Sequence, residues 1–206
     1  KFAHTVATPT LGKIYEVDEP FYRILSPEYI HFVRRAIPCK RIEEAIKDPR
    51  TAVASIVGIG GLGKTALATW AALRSYEKKD FEFIVAITAK DRELTSTGIQ
   101  SLKPKLTSFE SLLDGILEVL GFPDIKTKSI DPKKNEVMSL LKNSNGLLYV
   151  DNLETVDDTR IVTFLDNLPV GVRAIVTSRR SIVRTSVHPI DLGPLTDEEI
   201  NEFISS

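Results

Sequence analysis

The sequence predicts an α/β fold: a three-layer sandwich in which helices cover both faces of a five-stranded, mainly parallel sheet. Three observations carry that expectation. Apolar runs of strand length alternate with segments of helical period, the first run leads straight into a glycine-rich loop, and a later run ends on one carboxylate, Asp151. Strands buried on both faces of a parallel sheet read as continuous apolar runs, and each parallel pair needs a crossover, normally a right-handed helical one.

Taken in order, residues 1–38 contain Pro9, Pro20, Pro27 and Pro38 with scattered aromatics and no clean period, which predicts an extended arm packed on a domain filling 39–206. Ile42, Ala45 and Ile46 mark a short helix over 41–47, ended by Asp48-Pro49. Strands are expected at 52–57, 83–89, 147–150, 173–177 and 187–192. Helices are expected over 64–77, after a capping box at Thr107-Ser108-Phe109-Glu110, from an Asp131 cap with Pro132 at the first helical position, and around Ile161, Leu165 and Leu168. A second capping box, Thr196-Asp197-Glu198-Glu199, opens a last helix, and 91–105, with Gly98 and Pro104, reads as a loop.

Charge narrows the function classes. The 206 residues hold 27 Lys plus Arg against 28 Asp plus Glu, so no overall field draws the chain to nucleic acid or anionic lipid. The single cysteine, Cys39, excludes an internal disulfide. With no 18-residue apolar run and no secretory pattern at Lys1-Phe2-Ala3-His4, the expectation is a soluble cytoplasmic protein with no membrane partner. A chain that starts on Lys and stops inside a helical pattern is expected to be a piece of a larger protein.

Gly58-Ile59-Gly60-Gly61-Leu62-Gly63-Lys64-Thr65 follows the first buried strand and opens a helix. A triphosphate needs donors without crowding, and backbone N–H groups at a helix N-terminus supply them; glycines remove the side chains that would block the approach. Lys64 is placed to bridge β- and γ-phosphates, Thr65 to offer a hydroxyl to Mg²⁺, and Leu62 and Ala66 to line the same loop and first turn. These are the parts of a P-loop NTPase sandwich binding ATP or ADP. The same glycines satisfy the G-x-G-x-x-G of a dinucleotide fold, but that fold asks for an acidic residue closing the second strand, and only Asp91, past the strand end, is available. Asp151, delivered to the C-terminal sheet edge by Leu147-Leu148-Tyr149-Val150, is the second expected Mg²⁺ group, acting through water. Arg179, after Ala174-Ile175-Val176-Thr177-Ser178, is placed to sense the γ-phosphate and offset charge in its transfer, so the catalytic candidates are Lys64, Asp151 and Arg179.

Together these motifs resemble the NB-ARC class of STAND signalling ATPases, with Gly58 to Thr65 similar to its Walker A, Leu147 to Asp151 to its Walker B and Ala174 to Arg179 to its sensor strand ending Thr-Ser-Arg. Asp191-Leu192-Gly193-Pro194-Leu195-Thr196 is similar to its strand-to-helix junction, and the likeness runs from about residue 32 to the end. The resemblance implies a signal-transduction switch, in innate immunity among other settings, that rests with ADP, exchanges to ATP and assembles into a ring-like oligomer with sensor and effector domains of the same chain. It also implies that helical and winged-helix subdomains follow, and that adenine is framed by Phe32, Val33 and Arg35. Two departures stand out. Phe32-Val33-Arg34-Arg35 replaces a Gly-Arg-Glu-like signature, and Asn152 stands where many members carry a second acid able to polarise water, leaving Glu154 as a nearby substitute and hydrolysis slow or absent. A continuously cycling AAA-like motor and a nucleotide-binding module without hydrolysis are the competing readings.

Overall fold

The computed structural model describes residues 17–26, 32–90, 92–95, 98–101, 106–182, 184 and 186–205. Asp91, the acidic candidate of the dinucleotide reading, lies outside the described residues. In chain order the elements are β1 (Val17–Glu19), β2 (Tyr22–Ile24), α1 (Ala36–Lys47), β3 (Val53–Val57), α2 (Lys64–Lys78), β4 (Phe83–Thr88), β5 (Arg92–Thr95), β6 (Gly98–Ser101), α3 (Phe109–Val119), α4 (Ile130–Leu141), β7 (Gly146–Asp151), α5 (Thr159–Asp166), β8 (Val172–Ser178), β9 (Val187–Asp191) and α6 (Asp197–Ser205).

The five strands expected from the apolar runs form one parallel block in the spatial order β4-β7-β8-β3-β9. β3, β4, β7 and β8 are buried on both faces, whereas β9 at the edge buries only Ile190, and residue parity sorts the core into two layers. Val85, Ile87, Leu148, Val150, Ala174 and Val176 pack against α3, α4 and α5; Ile84, Ala86, Leu147, Tyr149 and Ile175 pack against α1 and α2.

The sheet is nevertheless seven-stranded among the described residues, not five-stranded. The arm supplies the difference: β1 and β2 pair antiparallel, and β2 adds in parallel to β4. Three-residue strands are too short to display an alternating pattern, so their pairing is fixed by the edge they join. Likewise, the expected loop after β4 contains β5 and β6, which pair antiparallel with each other as a separate two-stranded sheet.

Helix starts are corrected at three places. α1 begins at Ala36, five residues before the expected 41, because Pro38 sits in its first turn, where the missing N–H has no intrahelical partner to lose. For the same reason Pro132 lies inside the first turn of α4, whose N-cap is Ser129 and not Asp131. At α3 the cap is Ser108 and not Thr107: its hydroxyl accepts from the Ser111 N–H while the Ser111 hydroxyl accepts from the Ser108 N–H, so Ser111 takes the place assigned to Glu110. The box at α6 forms as expected between Thr196 and Glu199.

One further carboxylate ties two helix starts. Asp158 caps α5, takes a two-pronged Arg160 contact at 2.9 and 2.8 Å, and accepts from the Phe109 N–H at 2.8 Å. The Arg160 guanidinium, with the two backbone N–H donors, holds its carboxyl down at about 2. A carboxyl held low in the folded chain contributes stability that is present above its unfolded value of about 4 and is lost as pH falls through about 2. Urea unfolding between pH 5 and 2 is therefore expected to show a loss of stability that is shallower in Asp158→Asn than in wild type.

Candidate nucleotide-binding site

The C-terminal ends of four neighbouring strands finish level, and the site is built there. Thr88 is the register partner of Asp151, Val150 of Val176, and Val57 of Ser178. Open parallel sheets bind ligands at this edge because the strands end and the loops to the helices diverge.

β3 runs into the glycine loop, and Gly63, at φ +84°, sets α2 going at Lys64. Gly61 also has positive φ, at +82°, which other residues reach at a cost. At Gly58 the requirement is space: a Cβ would come within 2.6 Å of the Leu192 carbonyl oxygen. The loop thus has the open, side-chain-free wall a phosphate group needs. Leu62 is half-buried against the α1/α2 core, and Ala66 lies in the first turn of α2.

Lys64 is largely buried, and its ammonium donates to the Ile59 carbonyl across the loop at 2.9 Å. Burial holds it below the ordinary lysine range; the Glu154 carboxylate pulls the other way, Arg179 adds to the lowering, and Asp151 opposes it.

Asp151 is 1% exposed. Its Oδ1 accepts from the Thr65 hydroxyl at 2.9 Å and the Thr177 hydroxyl at 2.7 Å, and its Oδ2 from the Thr88 hydroxyl at 3.1 Å. The Tyr149 hydroxyl lies 3.4 Å from Oδ1 and 3.3 Å from the Thr65 carbonyl. Thr177 also accepts from the Asn152 N–H at 2.8 Å, which fixes the chain as it leaves β7 in the left-handed conformation at Asn152. Thr65 and Asp151 present hard oxygen atoms side by side, the donor chemistry of Mg²⁺. Among the described residues no group of three or more His, Cys, Asp or Glu is placed to hold a metal, so a cation here would draw on this hydroxyl, this carboxylate and a ligand's phosphates.

Arg179 leaves β8 at the same edge. Its guanidinium lies over the phosphate loop, 3.5 Å from where a Gly60 Cβ would be, and its Nε is 3.2 Å from Glu154 Oε1. Lys64, Thr65, Asp151 and Arg179 are therefore brought together. Phe32, Val33 and Arg35 stand beside them rather than among them. Phe32 stacks on Trp70 with ring centroids 5.4 Å apart, Val33 is half-buried, and Arg35 donates to the Gly193 and Pro194 carbonyls at 2.9 Å and to Glu199 at 3.1 Å. The segment that Arg35 grips directly follows Leu192, whose carbonyl abuts Gly58, so Arg35 borders the loop through one intervening strand end.

Solved structures share this fold. A Walker-type ATPase of Pyrococcus abyssi superposes with a TM-score of 0.50 at 11% identity, covering 84% of this chain and 57% of that one. Drosophila ORC bound to DNA gives 0.50 at 14% identity, covering 86% and 48%. The fold is that of the P-loop NTPases. No family model matches the chain. Among curated proteins it is 27% identical to the transcription activator GutR of Bacillus subtilis (84% of this chain, 21% of that protein) and 30% identical to the regulatory protein AfsR of Streptomyces griseus (72% and 14%). It is 26% identical to the disease resistance protein Pik-2 of Oryza sativa subsp. japonica, covering 93% of this chain and 23% of that protein. The chain thus spans less than a quarter of the length of these relatives. No helix among the described residues is long and apolar enough to cross a membrane.

The sequence motifs single out Thr65 and Asp151 but not Thr88, the Tyr149 hydroxyl or the second role of Thr177. A threonine closing a buried strand next to the acidic one was the available signal. Thr177→Val keeps the shape but removes a donor from Asp151 and the acceptor of the Asn152 N–H. It is expected to lower unfolding free energy by about 1–3 kcal/mol in urea titrations, with the helical circular-dichroism signal of the folded state unchanged.

Proposed function

We propose that residues 39–206, with β1 and β2 of the arm 1–38 added at the sheet edge, form a Mg²⁺-dependent adenine-nucleotide-binding domain that acts as an assembly switch within a longer regulatory protein. The observation that carries the reading is the 2.9 Å contact between the Thr65 hydroxyl and the Asp151 carboxylate, directly behind the glycine loop. Loop N–H groups and the α2 dipole would take the β-phosphate, Lys64 the β/γ bridge, Thr65 and Asp151 the hydrated cation, and Arg179 the γ-phosphate. Mg²⁺, when bound, supplies charge neutralisation between the phosphates. Phe32, Val33 and Arg35 would border the adenine side.

The switch part of the proposal is supported by the company the sequence keeps: a transcription activator, a regulatory protein and disease resistance proteins, each far longer than this chain. It is also supported by the NB-ARC-like order of phosphate loop, acidic strand and Thr177-Ser178-Arg179 ending. Asn152 gives the position after Asp151 no carboxylate to take a proton, which suits slow turnover and an output read as occupancy. A nucleotide can drive such a switch only through different affinities for its two states.

The test is the nucleotide content of the domain purified without added nucleotide, denatured and resolved by ion exchange, with Lys64→Ala in parallel. ADP or ATP near one per chain in wild type, and its loss in the variant, is expected. Empty wild-type protein that also fails to bind added Mg²⁺ with ADP or ATP would overturn the proposal.

A further inference from the structure

Glu154 is a charged group of this sheet edge with a side chain only 9% exposed, and the binding reading assigns it no task. It sits in a single turn of 3₁₀ helix, Leu153–Thr155, immediately beyond β7. That turn is pinned on every side. Leu153 is buried in the core, the Asn152 N–H donates to Thr177, and the Asn152 and Ala89 carbonyls, at 2.9 and 3.2 Å, share the single proton of the Thr155 hydroxyl. The backbone therefore aims the Glu154 side chain in a fixed direction.

That direction is the cation pair of the site. The side chain is 9% exposed, and Oε1 approaches the Arg179 Nε at 3.2 Å. Yet the approach lacks hydrogen-bond alignment, and neither carboxylate oxygen has a hydrogen-bond partner among the described residues. Its charge also reaches Lys64, where it is the largest influence opposing the effect of burial. A carboxylate serving the fold is normally hydrogen-bonded to backbone N–H groups, as Asp158 is; a buried one without such bonds keeps its full electrostatic reach.

Resting on the nucleotide reading above, we propose that Glu154 is a specificity-determining residue: it disfavours a nucleoside triphosphate relative to a diphosphate. Lys64 and Arg179 are cations that the binding reading offers to a γ-phosphate, and Glu154 offsets both while opposing the incoming negative charge directly. A diphosphate, held by the loop N–H groups and the α2 dipole, stops short of that charge and feels it less. The site thereby favours the diphosphate without any change to the loop, and Arg179 has to exchange one anion for another when a γ-phosphate enters.

The test is isothermal titration calorimetry with ADP and with the non-hydrolysable triphosphate AMP-PNP, each with Mg²⁺, on wild type, Glu154→Gln, Glu154→Ala and the surface control Glu198→Gln. Removing one charge beside the γ-phosphate is expected to raise triphosphate affinity relative to ADP by about tenfold in both Glu154 variants. ADP affinity should stay close to wild type, which also reports that the variants are folded, and Glu198→Gln should leave the ratio unchanged. An unchanged ratio in both Glu154 variants, or loss of both ligands in both, would overturn the proposal and leave Glu154 a structural residue. If wild type itself bound neither ligand, the nucleotide reading would fail, and this inference with it.

Discussion

A carboxylate at the end of a buried parallel strand is costly unless donors surround it, and meeting that requirement at Asp151 organises the rest of the site. Its donors come from the strand on either side and from the first turn of α2: Thr88 on β4, Thr177 on β8 and Thr65 behind the glycine loop. Each bond requires the strands to end level, so the sheet register and the site geometry are one constraint. A one-residue slip of β7 against β4 would turn Asp151 to the opposite face and leave three hydroxyls without their acceptor.

The electrostatic design follows from this. Asp151 is satisfied by neutral hydroxyl donors, so Lys64 and Arg179 are not consumed in holding it. Lys64 is braced on a loop carbonyl, and Arg179 lies across the loop against Glu154. The edge thus presents the loop N–H groups, the Lys64 and Arg179 cations and the Glu154 carboxylate close together, and both cations already hold protein partners, the Ile59 carbonyl and Glu154.

The five-stranded block, its order of motifs and the meeting of Lys64, Thr65, Asp151 and Arg179 were legible because each has a local signature: a continuous apolar run, a glycine string, one acid at a strand end. What was not legible depends on pairing. β1 and β2 are too short to carry a period, and among the described residues β5 and β6 pair only with each other, so their polar composition reads as a loop. The two prolines, Pro38 and Pro132, look like boundaries in sequence but sit in first turns, where their missing N–H costs nothing. The threonines around Asp151 lie on separate strands, and no linear spacing brings them together. Glu154 was visible as a residue near Asp151, while its burial and its approach to Arg179 needed the turn after β7 to be placed.

The central claim is that Thr65 and Asp151 hold a cation for a nucleotide on the glycine loop, and the most direct measurement is ADP affinity in Mg²⁺ and in EDTA for wild type and Asp151→Asn. Mg²⁺ is expected to tighten binding to wild type by roughly tenfold or more, with most of this gain lost in the variant. Equal affinity with and without Mg²⁺ in wild type, or an undiminished Mg²⁺ effect in Asp151→Asn, would contradict it.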